Sequence, residues 1–336
     1  MIKASKVGYA ACILAVCNLS LGVQVQPSAH ADKSFVVHPS TPACSSLTPA
    51  AIGGPMPPAE LLTLRWLGTT NFELVYQGQV ILLDTYYDRG PRNRPIGFTS
   101  SDVKRADAIF IGHAHFDHMS DAVAVAAQTG APVIGAQTVT DTAISLGLPP
   151  KQAITVRGGE TRKYKGFTVE SILARHSTLA PEVLTAFQIA ITAAAGAPTA
   201  EEQAVEAAIR KRGTFDPKVI TEGTLAYLFT FDNGFRLIYR DSAGPITDAE
   251  RSVIQRIGGK TDVAIVAYVG QYLAGRQIPV SLPIIELYNP RLYLPAHHDE
   301  LAGLSSTWVW SRSLWPSGIR CRGQAQYLRF IGNLCA

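Results

Sequence analysis

Apolar residues recur along this chain in short runs divided by turn residues. Leu64-Arg65-Trp66-Leu67, Phe72-Glu73-Leu74-Val75-Tyr76 and Val80-Ile81-Leu82-Leu83-Asp84 are three such runs, separated by Gly68 and by Gln77-Gly78-Gln79. Short apolar runs broken by glycine turns predict strands, here a β-meander starting near Leu61. Ala108-Ile109-Phe110-Ile111-Gly112 predicts a further buried strand. An alanine-rich helix follows over 122–128, then a short strand at Pro132-Val133-Ile134 and a helix over 138–146. Strand patterns return at 167–173 and 225–231, and Asp232-Asn233-Gly234 predicts a hairpin into Phe235-Arg236-Leu237-Ile238-Tyr239. Runs at 263–268 and 291–294 complete the set. Strands alternate with helices but also form hairpins, which predicts sheets packed on each other with helices outside, an α/β sandwich.

The segment 180–222 breaks that rhythm. It holds one good helix over Ala200 to Arg212, acidic at its start and basic at its end, with no strong strand pattern around it. It reads as an insertion between two core strands, either a lid or a surface elaboration. Its Arg210-Lys211-Arg212 run is the densest basic stretch in the chain, and it reads as a helix C-terminus with a solvated face.

Composition narrows the class. The 336 residues are 47% apolar and 17% charged, which is globular rather than disordered. A net charge of +4 without a basic stripe argues against a nucleic-acid partner and leaves a small-molecule substrate. The N-terminus has the layout of an export signal: Lys3 and Lys6, an apolar run from Val7 to about Val25, and Ala29-His30-Ala31 before Asp32. Polar Asn18, Ser20, Gln24 and Gln26 dilute the run, so a retained membrane anchor is the weaker reading. The expected organisation is a signal peptide over 1–31, an exposed Pro/Ser/Ala-rich arm over 32–60, and one domain over 61–336 in a periplasmic or secreted protein. Cys44, Cys321 and Cys335 then remain, enough for one disulfide with one thiol left over.

The chemistry gathers around histidine. Apart from His30 and His38, the six other histidines fall at three places: His113, His115 and His118; His176; and His297 with His298. The first reads Gly112-His113-Ala114-His115-Phe116-Asp117-His118, directly after a predicted strand. A strand ending in a tight loop can aim several ligands at one point. His113 and His115 suit one ion, and Asp117 and His118 a second close by. Imidazole and carboxylate favour zinc, with iron or manganese as alternatives. Asp84, at another strand end, is either a turn cap or a group that orients a ligand histidine.

His-Ala-His-Phe-Asp-His resembles the H-x-H-x-D-H signature of the metallo-β-lactamase-fold superfamily. Trp66-Leu67-Gly68-Thr69-Thr70-Asn71-Phe72 with Ile81-Leu82-Leu83-Asp84 is similar to the opening of its lactonase and N-acyl-phosphatidylethanolamine phospholipase branch. The resemblance spans roughly 62–300 and implies an αβ/βα sandwich of two mixed sheets with outer helices. It also implies that His176, Asp241 and His297 complete a two-ion site, with Asp241 bridging and His297 preferred over His298 because it follows Pro295-Ala296. Asp117 would ligate and orient the nucleophile or shuttle a proton, and a bridging hydroxide would attack the substrate. Two positions depart from the branch. Thr69 stands where a histidine is common, and Arg240 replaces the glycine before the aspartate, which would place a cation beside the site.

No G-x-S-x-G motif or glycine-rich phosphate loop competes with this reading. The expected function is an exported dinuclear hydrolase of an ester-type bond, a lactone or phosphodiester. A β-lactamase-type amide hydrolase and a non-catalytic metal-binding protein are the alternatives, and a di-iron redox site is a third class. Tyr268, Tyr272, Trp308 and Trp310 are candidates to line a pocket or to fill the core.

Overall fold

The computed structural model describes residues 48–93, 95–178, 185, 189, 196–268 and 277–297. The expected signal peptide, all three remaining cysteines, His298, Tyr272, Trp308 and Trp310 lie outside the described residues.

Twelve strands form two six-stranded sheets. In the first, β1 (Thr63–Trp66), β2 (Phe72–Tyr76), β3 (Gln79–Leu83), β4 (Ala108–Phe110), β5 (Val133–Gly135) and β6 (Ala153–Thr155) lie in that order. The β1–β2–β3 meander is antiparallel, and β3 to β6 are parallel. The second runs β12 (Leu292–Ala296), β11 (Val263–Ala267), β10 (Arg236–Arg240), β9 (Leu225–Phe231), β8 (Phe167–Leu173) and β7 (Thr161–Tyr164). Its β7 to β10 are antiparallel, and β10 to β12 parallel. Both sheets are mixed, as expected.

The near-continuous apolar strands are explained by burial on both faces. In β3, Ile81 and Leu83 join the core between the sheets, while Val80 and Leu82 join the core under the helices. In β9, Leu225, Tyr227, Phe229 and Phe231 face the other sheet, while Ala226 and Leu228 face outward to helix. Helices α1 (Phe116–Met119), α2 (Ala122–Thr129) and α3 (Gln137–Ser145) lie between strands of the first sheet in chain order. The chain leaves β8 at Leu173 and returns at Leu225, with α4 (Ala200–Arg210) and α5 (Lys218–Thr221) between these paired strands. Helices α6 (Asp248–Arg256) and α7 (Gln277–Tyr288) supply Val253, Ile254, Ile284 and Tyr288 to the outer core of the second sheet.

Three details differ from the sequence expectation. The 32–60 arm is not exposed throughout: Ala50 and Ala51 are buried in the first-sheet core. The Ala51 N–H donates to Glu73 at 2.6 Å, and Glu73 in turn pairs with Arg65 at 2.5 Å inside the protein. Helices α6 and α7 and strands β6 and β7 were not anticipated. Strand β7 is a short, charged edge strand, and α7 carries Pro283 within its length. Finally, Arg210 and Arg212 are not a simple solvated face. Arg210 lies 4.7 Å over the Phe116 ring, and Arg212 donates to buried Asp121 at 2.8 Å. Among the described residues, no helix is long and apolar enough to cross a membrane.

Candidate metal centre

Strand polarity places the candidate residues together. Strands β8, β10, β11 and β12 run the same way, and so do β3 to β6. His113 follows the C-terminal end of β4, His176 that of β8, Asp241 that of β10 and His297 that of β12. His115 is the N-terminal cap of α1, and the single turn after it carries Asp117 and His118.

The seven side chains converge into three groups able to hold an ion, each with ligand atoms within 4.8 Å of one another. They are His113, His115 and His176; Asp117, His118 and His297; and His113, His118 and Asp241. His113 and His118 each belong to two groups, so the three are one cluster. In the first, His113 Nε2 lies 3.1 Å from His115 Nδ1. In the second, Asp117 Oδ2 lies 3.5 Å from His118 Nε2 and 3.3 Å from His297 Nε2.

Asp241 has two faces. Its Oδ2 lies 2.6 Å from His113 Nδ1 and 3.2 Å from His118 Nδ1. Its Oδ1 is buried with no hydrogen-bond partner, and so is His118 Nε2. Two buried polar atoms without a hydrogen bond in one cluster of imidazoles and carboxylates are costly unless another group satisfies them. They fit a divalent cation, whose bonds would satisfy both.

Backbone packing sets this geometry. A Cβ at Gly112 would lie 2.1 Å from the Asp241 carboxyl carbon, so only glycine lets the two strand ends approach. A Cβ at Gly244 would lie 2.1 Å from the Arg175 carbonyl oxygen, so glycine is needed there to pack beside the His176 segment. Three non-glycine residues around the centre hold positive φ: Thr69 at 49°, Asp84 at 54° and His297 at 61°. Such backbone is strained and persists where surrounding contacts enforce it. Here the His297 N–H donates to the Thr69 carbonyl at 2.9 Å, and the same carbonyl accepts the Trp66 indole N–H at 3.0 Å. Thr69 thus anchors the His297 loop through its backbone, where the resembling branch has an imidazole.

Asp84 is an orienting group. One oxygen accepts the Gly112 N–H at 2.9 Å; the other lies 2.6 Å from His118 Nδ1 and accepts the Tyr239 hydroxyl at 2.6 Å. A carboxylate behind an imidazole fixes the ring so that the opposite nitrogen faces the cluster. Thr70 Oγ1 supports the same His118 nitrogen at 3.0 Å. Tyr239 and Thr70 were missed from sequence. The signal for Tyr239 was its position two residues before Asp241, on the same face of β10.

Arg240 does not place a cation beside the centre. Residues 239 and 240 face opposite sides of the sheet, and Arg240 is fully buried on the helix side. Its Nε lies 3.4 Å from Glu250, and its Nη2 donates to the carbonyls of Gly244 at 2.8 Å, Pro245 at 3.0 Å and Arg175 at 3.3 Å. It braces the loops that carry Asp241 and His176 from behind. Tyr268 is half-buried at the end of β11, its N–H bonded to the Ala296 carbonyl.

The electrostatics separate the groups. Burial pushes His113 well below its ordinary value, reinforced by the neighbouring histidines. Burial also lowers His115 to about 4 and His176 to about 3. These three rings are neutral near pH 7, with lone pairs available. His118 behaves oppositely: burial pulls it down, but Asp117, Asp84 and Asp241 overcome this and raise it to about 9. Burial alone would raise Asp117, yet His118 and His297 hold it far below the carboxylate range. Burial raises Asp241 against the opposing charge of His118.

Known proteins are similar to this chain. The family model for the Beta-lactamase superfamily domain matches residues 79–270. The chain is 26% identical over 276 residues to a metal-dependent hydrolase of Cupriavidus necator, covering 79% of this chain and 85% of that protein. A metal-dependent hydrolase of Pyrobaculum neutrophilum is 32% identical over 105 residues, 30% of this chain and 44% of that protein. Among solved structures, the metallo hydrolase Igni18 of Ignicoccus hospitalis aligns with a TM-score of 0.48 and 18% identity, over 72% of this chain and 85% of its own.

Proposed function

Given that this chain belongs to the β-lactamase superfamily and is a metal-dependent hydrolase, we propose that it is an exported enzyme holding two divalent ions, zinc in the first place, and cleaving an ester-type bond in a lactone or phosphodiester. The observation that carries the two-ion reading is the seven-residue cluster, with Asp241 Oδ1 and His118 Nε2 buried and unsatisfied at its centre. His113, His115 and His176 would hold one ion; Asp117, His118 and His297 would hold the other; Asp241 would help hold them. Bound ions supply activated water near neutral pH and polarise the substrate oxygen.

The protein's own groups do the rest. Asp84 and Asp241 hold His118 and His113 from behind, so neither ring must reorganise during turnover. Asp117 stays ionised over the whole working pH range, which suits a ligand that also orients the attacking water. In the reaction, the water oxygen bonds to the carbonyl carbon or phosphorus, the bond to the leaving oxygen breaks, and a water proton ends on that oxygen. Asp117, only partly exposed beside His297 and held ionised, would orient the attacking water rather than carry the proton itself.

Export is supported by Lys3, Lys6, the apolar run and the Ala29-His30-Ala31 site. N-terminal sequencing of exported protein is expected to begin at Asp32. The function itself is tested with zinc-loaded enzyme on chromogenic lactone, carboxylic ester, phosphodiester and cephalosporin substrates. Turnover of the ester-type set, abolished in His115→Ala and Asp117→Ala, is expected. Turnover confined to the cephalosporin would replace this reading with amide hydrolysis, and turnover of none would leave a metal-binding protein.

A further inference from the structure

The segment after α4 is bound to the metal-centre motif by four separate contacts. Arg210 lies over the Phe116 ring and Arg212 pairs with Asp121, three residues beyond His118. A Cβ at Gly213 would lie 2.4 Å from the Phe116 nitrogen, so glycine is required for this approach. The Thr214 N–H donates to the Ala114 carbonyl, between His113 and His115, at 2.8 Å. The next residue is Phe215. Its ring centroid is 5.0 Å from that of His115 and 6.0 Å from that of Phe116, yet 59% of it is exposed.

An aromatic ring left open to water gives up the stabilisation that burial provides. The backbone bond, the glycine approach and the two arginine contacts hold the segment in place, and the ring adds its contacts to His115 and Phe116 while most of it stays open. The ring is fixed beside an imidazole of the first ion group, with its open surface on the solvent side. Its neighbours Thr214 and Asp216 line a cavity of about 490 Å³ whose residues are mostly polar, among them Gln137, Asp141, Arg157 and Lys218, and the Phe215 ring is not part of that lining. A substrate held at the centre therefore has an apolar platform beside His115.

We infer that Phe215 is a specificity-determining residue, its exposed ring receiving an aromatic or branched aliphatic substituent next to the scissile bond. This rests on the hydrolase reading of the seven-residue centre. It also gives the 180–222 segment a role in substrate choice.

The test uses the full chain loaded with zinc, as wild type, Phe215→Ala and Phe215→Leu. Hydrolysis is compared for two matched ester pairs, benzyl against methyl on the acyl side and on the alcohol side. Binding of phenylacetate against acetate is measured by calorimetry on the same proteins. Wild type is expected to prefer the benzyl member of at least one ester pair and to bind phenylacetate more tightly. Phe215→Ala is expected to lose about tenfold of each preference, through KM rather than kcat, the scale of losing a small apolar contact. Phe215→Leu is expected to recover part of it. A wild type without preference, or a Phe215→Ala variant that keeps it, overturns the inference. If no ester is hydrolysed but the phenylacetate preference still depends on Phe215, the hydrolase reading fails and the platform stands.

Discussion

Replacing Gly112 by alanine adds one methyl group where the structure has none to spare. The new Cβ would lie 2.1 Å from both Cγ and Oδ2 of Asp241 and 2.5 Å from Oδ1, whereas ordinary contact begins at 3.4 Å. Asp241 would have to retreat by more than an ångström. It cannot do so freely, because Oδ2 is bonded to His113 and the residue is fully buried. Inserting a methyl group into a packed interior costs about 1–3 kcal/mol, which a domain of this size survives. A displacement of about 1 Å at a reacting centre costs about 100-fold in rate. The expected outcome is a folded protein with kcat/KM reduced about 100-fold or more and with at least one ion weakened. Thermal denaturation, metal analysis after gel filtration and steady-state kinetics read these separately. A Gly112→Ala protein that keeps full metal content and activity would show that Asp241 does not need its observed position.

The other predictions probe the orienting and bracing groups. Asp84→Asn keeps the positive φ that asparagine tolerates but removes the charge behind His118; metal affinity is expected to fall about 10–100-fold by competition with a chelating dye, and an unchanged affinity would contradict the orienting role. His118 predicts a pH signature. Its folded value is raised to about 9, so in metal-free protein its stabilisation is full below about 6.5 and is lost as pH rises through about 9. Denaturant melts of metal-free protein are expected to weaken across that window, and zinc loading at pH 7.5 to release a proton, seen as a buffer-dependent binding enthalpy. A buffer-independent enthalpy would oppose the reading. Arg240→Ala leaves the buried Glu250 without its charged partner, though Thr247 and Tyr288 still donate to it, and should cost about 3 kcal/mol in urea denaturation; a loss below about 1 kcal/mol would mean the brace is dispensable.

Much of this molecule was readable in advance, for physical reasons that differ by element. Strands β2, β3, β9 and β10 announced themselves because each is buried on both faces and so is mostly apolar between turn residues. The first half of the centre was legible because four ligand-type residues stand within six positions after a strand. His176, Asp241 and His297 could be placed only through the family resemblance, supported by their order and strand-end positions, since each alone is an ordinary polar residue. Helix α6 was missed despite a capping box, Thr247 with Glu250, because its short sequence is mostly polar. Helix α7 was hidden by its prolines. The orientation of Arg240 was available from alternation: Tyr239 and Asp241 share one face of β10, so the residue between them points away. The demand for glycine at 112 was not available, because it arises from a carboxylate 129 positions later in the chain. Phe215 was equally invisible, since its neighbour His115 is reached only when the segment folds back along the motif.

Metal analysis of the purified full chain tests the two-ion centre most directly. Protein loaded with zinc and freed of excess ion is expected to carry two ions per chain, falling to one or fewer in His176→Ala and in His118→Ala. One ion per chain in the wild type, or two retained in both variants, would contradict it.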